Sequence, residues 1–214
     1  PARVRSAGEL LTNHWDALLS YWRAQDSWNH RDSSRAQREL KSALEIDPGF
    51  ALARLQLAEL HLFELRWQAA NEEFARLEQD RNRLTDTDVL RIQARRARIS
   101  GRIVEERELL RRLRGLQPYN REFLYDLAES YFHTADVDEA IRHYREVLTV
   151  DNRFFQAINH LGYCYAWKGN HERAKTVLNR YIELDKSANA FDSYGECLLN
   201  AGNYELSANM MSEA

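Results

Sequence analysis

His160 and Cys164 stand four residues apart, the spacing at which two metal ligands share one face of a helix. No assured third ligand accompanies them, and two ligands do not close a site. The expectation is a partly exposed histidine above a buried cysteine, with no metal. The adjacent acids Glu72-Glu73 and Glu105-Glu106 would be of catalytic use only as facing carboxylates. Neighbouring positions on a helix point to different faces, so both pairs read as solvated charge. Arg91, Arg95 and Arg98 fall on one helix face, where like charges repel unless acids answer them. Such a ladder could clamp acidic side chains or a peptide carboxylate. It could equally be a solvated face, or be paired with Glu59 and Glu129. The aromatic run Tyr125, Phe132, Tyr163 and Trp167 offers rigid anchors for a peptide, or packing between helices. Nucleotide-binding loops, the nucleophile elbow, the paired-histidine zinc motif and a kinase catalytic loop are all absent from the sequence. No enzyme activity and no cofactor are expected.

Helices must position these side chains. Only three prolines and eight glycines occur in 214 residues, and Ala, Leu, Glu and Arg are abundant. An apolar content of 44% with 29% charged residues is that of an ordinary soluble domain. A formal net charge of -3 creates no overall field towards nucleic acid or an anionic membrane. No window approaches a membrane span and no signal peptide opens the chain. The start at Pro1 suggests a fragment, which leaves open whether a signal or anchor lies upstream. Cys164 and Cys197 read as small buried packing residues. They occupy equivalent places on adjacent helix pairs, and packed helices lie roughly 8–10 Å apart, so a disulfide is disfavoured. With no glycosylation sequon present, a reducing cytoplasm is the expected location.

The clearest pattern runs from Phe155 to Lys186. Ile158, Leu161, Gly162 and Tyr165 share one helix face, Gly169-Asn170 makes a turn, and Ala174, Leu178 and Tyr181 line a second helix. The same layout lies 34 residues upstream. There Leu124, Leu127, Ala128 and Tyr131 precede Ala135-Asp136, and Ala140, Tyr144 and Val147 follow. In these residues and this period the chain resembles the tetratricopeptide-repeat family. The resemblance extends over residues 13–214, with units starting near 17, 51, 87, 121, 155 and 188. Residues 1–12 are expected to be a linker or the tail of an upstream domain, and residues 13–214 a single repeat domain whose last unit is truncated. Thr12-Asn13, Ser33 or Ser34, and the run Thr85 to Asp88 are candidate helix caps. The link from Gln79 to Thr87 is two residues longer than the family period, and Glu106 stands where a small residue is normal.

The resemblance implies an all-α fold, a right-handed α-α superhelix (solenoid) of about six tandem helix-turn-helix units. Its first helices would line a concave groove. Carried onto this chain, that lining includes Tyr21 and Trp28; Glu59; Arg91, Arg95 and Arg98; Tyr125, Glu129 and Phe132; Asn159, Tyr163 and Trp167; and Asp192 with Glu196. The implied function is a non-enzymatic scaffold that binds a peptide or partner helix, an acidic one if the arginines do the gripping. The lysine and asparagine pattern with which some members grip chaperone tails is absent. LEIDPGFALARLQLAELHLF and NHLGYCYAWKGNHERA resemble repeat regions of bacterial serine/threonine kinases and winged-helix activators, which implies a regulatory arm of a signalling protein. RNA binding is the alternative, disfavoured because only the third unit supplies arginines. An apolar last unit also leaves open end-to-end self-association.

Overall fold

The computed structural model describes residues 12–30, 32–79 and 84–214. The expected N-terminal linker (residues 1–11 of it) and residues 80–83 of the long link lie outside the described residues.

Among the described residues there are twelve α-helices and no strand. They follow one another as helix-turn-helix hairpins, and in the first, second, fourth, fifth and sixth the two helices pack on each other. The first three hairpins are α1 (Trp15–Asn29) with α2 (Ser33–Ile46), α3 (Ala51–Phe63) with α4 (Trp67–Gln79), and α5 (Asp86–Ile99) with α6 (Ile103–Leu116). The last three are α7 (Arg121–Phe132) with α8 (Val137–Val150), α9 (Phe155–Trp167) with α10 (His171–Leu184), and α11 (Ala188–Asn200) with α12 (Tyr204–Ser212). None of these helices is long and apolar enough to cross a membrane.

One turn design recurs from the second hairpin to the sixth. Leu65, Gly101, Ala135, Gly169 and Gly202 all have φ between 57° and 77°, in the left-handed region. The next residue then donates its N–H back to a carbonyl in the last turn of the preceding helix, as Asn170 does to Tyr165 at 2.9 Å and Asp136 to Tyr131 at 3.0 Å. This is the closing bond of a Schellman turn, and it satisfies a carbonyl that the helix end would otherwise leave orphaned. Asn170 and Asn203 then cap the second helices by accepting from Arg173 N–H and Leu206 N–H.

Caps at other helix starts match the sequence less evenly. Thr85 caps α5 in a full capping box with Asp88, as the acceptor-rich run promised. The cap of α2 is Asp32, which accepts from Arg35 N–H at 2.9 Å, whereas Ser33 and Ser34 are already helical. Thr12 does not cap α1. Its hydroxyl accepts from His14 N–H, outside the helix, and His14 occupies the cap position without a side-chain bond.

The chain divides into two compact units, residues 1–109 and 110–214. In the first, Ala36, Leu40, Phe50 and Leu57 are buried in one core cluster, and Ala58, Phe74, Leu77 and Ile92 in another. In the second, Leu124, Leu127, Tyr144, Val147, Ile158 and Leu178 are fully buried. Each such leucine contributes roughly 2 kcal/mol by leaving water. Close approach of helices sets the small positions. A Cβ on Gly162 would lie 2.6 Å from the Leu178 side chain, and one on Gly195 would lie 2.7 Å from Met211. Ala70, Ala140 and Ala174 fill the matching site on second helices, and in the third hairpin Glu106 is buried there.

Candidate functional site

In residues 12–109 the first helices of successive hairpins touch through polar side chains. Gln25 on α1 donates to Gln56 on α3 at 2.5 Å, and also to the Tyr21 hydroxyl at 2.9 Å. Tyr21 packs its ring on Phe50, 5.2 Å between centroids, and Trp28 meets Phe63 edge-on at 4.9 Å. Glu59 on α3 answers the arginine ladder of α5: its carboxylate lies 3.2 Å from Nε of both Arg91 and Arg95. Burial opposes ionisation of Glu59, but Arg95 and then Arg91 hold its carboxyl below the ordinary value. Arg98 is half-buried and makes no side-chain ion pair among the described residues. The ladder is therefore largely an internal ion-pair cluster.

In residues 110–214 a buried carboxylate organises the equivalent face. Glu129 on α7 is only 6% exposed. It accepts from the Tyr144 hydroxyl, from His160 Nδ1 at 2.5 Å, and lies 3.3 Å from His133 Nε2. A carboxylate can only accept, so His160 presents its Nδ1–H to it. Burial would raise the Glu129 carboxyl, but the bonds from His133, His160 and Tyr144 hold it far below the usual carboxylate range. Its charge, with burial as the larger cause, pushes the Tyr144 phenol well up.

Aromatic rings cover this pair. Phe132 stacks almost parallel on His160 at 4.7 Å and stacks on Trp167 at 4.7 Å. Tyr125 packs against Phe154 at 5.1 Å and Tyr144 at 6.0 Å. Phe132 and Tyr125 thus serve packing between neighbouring helices, whereas Trp167 keeps 53% of its surface in water. Tyr163, one turn before it on α9, lies 6.4 Å away ring to ring and donates its hydroxyl to Glu196 on α11 at 2.6 Å. Burial, and then Glu196, raise the Tyr163 phenol. Asn159, a further turn back, has its Oδ1 buried without a hydrogen-bond partner.

Comparisons with known proteins place two of these hairpins in a family and show the fold of the rest. Tetratricopeptide-repeat models match residues 122–150 and 155–187. Each of these two segments is a tetratricopeptide repeat. Solved repeat proteins share the fold at low identity. A thermophilic tetratricopeptide-repeat protein from Thermus thermophilus, TTC0263, aligns over 77% of this chain and 89% of its own at 19% identity and TM-score 0.64. PilW, a type IV pilus biogenesis factor, aligns over 94% and 92% at 15% identity and TM-score 0.67. The Cut9–Hcn1 assembly of the APC/C aligns over 96% of this chain but 41% of its own, at 19% identity and TM-score 0.71. No curated protein matches.

In this repeat frame the two cysteines are structural. Both are free and buried, and burial, followed by the charge of Glu129 or Glu196, pushes their thiols up to about 12. His160 is committed to Glu129, and no group of three potential metal ligands occurs among the described residues. The Glu129–His160 pair was not visible from the sequence. Its signal is an offset of 31 residues, about one turn short of the repeat, by which one first helix reaches the next; Gln25 and Gln56 have the same offset.

Proposed function

We propose that this protein is a non-enzymatic scaffold that docks a peptide or partner helix on the first-helix face of its repeats. Trp167 carries this reading. It is half in water, yet its ring is fixed by stacking on Phe132, which is itself stacked on His160. An aromatic anchor already ordered loses little entropy on binding, the property of interface hot spots. Tetratricopeptide repeats generally mediate protein–protein interactions, and stacked hairpins offer extended surfaces for them. The RNA-binding alternative is weakened by Glu59, which engages two of the three ladder arginines and so breaks the basic track that RNA needs. A role as the regulatory arm of a bacterial signalling protein rests on the sequence resemblance alone. Two buried free thiols fit the reducing cytoplasm in which we place the chain.

The test is selection of displayed peptides on the full chain, followed by calorimetric titration. Trp167→Ala is expected to weaken the selected peptides roughly tenfold or more, about 1.4 kcal/mol, with helicity unchanged. Full affinity in that variant would remove this surface from the function.

A further inference from the structure

The same surface has a charge character that names its ligand. The first helices of residues 110–214 are α7, α9 and α11, and together they hold five acids and one arginine. Three of those acids are already engaged or covered: Glu122 lies beside Arg121, Asp126 is buried, and Glu129 is buried against His160. The other two, Asp192 and Glu196, are both exposed and stand one turn apart on α11. Neither has an ion pair among the described residues, and like charges at that spacing repel until a cation arrives. Glu196 is fixed towards α9 by the Tyr163 hydroxyl at 2.6 Å. Tyr163 in turn neighbours Trp167, whose one face is covered by Phe132 while half its surface is open. The nearest lysine in sequence, Lys168, is drawn off to Asp138.

We infer that this patch receives a basic side chain, arginine or lysine, from the partner peptide, laid on Trp167 with its charge answered by Glu196 and Asp192. An indole face attracts a cation electrostatically, more strongly than any other aromatic side chain does. A carboxylate pair with no internal cation supplies the complementary charge and the specificity. The inference rests on the scaffold reading and reverses the acidic partner expected from the arginine ladder, because that ladder is internally paired.

The experiment uses the full chain and four hexapeptide sublibraries, identical except that the fixed central residue is Arg, Lys, Glu or Leu. Binding is read by fluorescence anisotropy at two salt concentrations. The Arg and Lys pools are expected to bind at least roughly tenfold tighter than the Glu and Leu pools, and to weaken as salt rises. Trp167→Ala and the double variant Asp192→Asn/Glu196→Gln should each remove that preference; the glutamine keeps an acceptor for Tyr163. Tight binding with no basic preference, still lost in Trp167→Ala, would overturn the cation assignment and leave the docking face standing. Failure of all four pools to bind, or binding indifferent to Trp167→Ala, would overturn both.

Discussion

Glu129 is the residue on which most of its neighbourhood depends. Its carboxylate accepts from the buried Tyr144 hydroxyl and from the partly buried His160 ring, so removing it takes away the charged acceptor at the centre of this network. Glu129→Ala should cost about 2 kcal/mol, the order of losing a hydrogen bond to a charged group. The acid response follows from the same groups. Burial, and then Arg66 for His61 and Arg142 for His143, hold these two imidazoles below their ordinary 6.5. The unfolded chain therefore takes up protons first, and stability falls as pH drops below 6.5. A second loss begins below 4.5, where Glu129 and Glu59 titrate in the unfolded chain but remain ionised in the folded one. Urea unfolding between about pH 7 and about pH 3 should show both limbs, and Glu129→Gln should flatten the lower one while leaving the upper one intact. Unchanged lower slope in that variant would assign the acid sensitivity elsewhere.

At the scale of the element, the turns carry more information than the helices. Five hairpins place a residue at positive φ, yet in two of them the residue is Leu65 or Ala135. A side chain in that conformation costs roughly 1–2 kcal/mol, offset in part by the greater freedom glycine gains when unfolded. Leu65→Gly and Ala135→Gly are expected to raise stability by about 0.5 kcal/mol each, and Gly169→Ala to lower it by about 1 kcal/mol. No atom lies within 4 Å of the Cβ site at Gly169, so that loss would be conformational strain alone; thermal unfolding of the three variants measures it. Helix pairing was legible because Leu124, Leu127 and Ala128 recur as Ile158, Leu161 and Gly162 at one period, and the burial of all six follows from it. Ala135 was readable as a turn only through that period, since alanine carries no turn preference of its own. Of the polar contacts between hairpins, the pairing of Glu59 with the arginine ladder was one reading open to the sequence, whereas the bond from His160 to Glu129 was not legible. Three- and four-residue spacing reports which side chains share a helix face, but says nothing of the axial offset between neighbours that joins Glu129 to His160 or Gln25 to Gln56. For the arginine ladder the sequence offers both a clamp and pairing with Glu59, and for Phe132 both anchoring and packing; the structure pairs Arg91 and Arg95 with Glu59 and stacks Phe132 on His160 and Trp167.

At the scale of the whole molecule, the chain is two compact units of nearly equal length, residues 1–109 and 110–214. Hairpin arrays gain stability from nearest neighbours, so their unfolding need not be all-or-none. The tryptophans separate the two units: Trp15, Trp22, Trp28 and Trp67 lie in the first and Trp167 alone in the second. Unfolding followed by fluorescence of Trp167, in a chain whose other four tryptophans are phenylalanine, should differ in midpoint from the same transition followed by circular dichroism. Coincident curves would show one cooperative block instead. The buried, strongly protonated thiols of Cys164 and Cys197 have a practical corollary. At neutral pH they are nearly inert to maleimides and iodoacetamides, so a dye attached to one added surface cysteine in each half would sit only where it was placed. Distances between two such dyes can then be followed in the otherwise native chain as a partner is added.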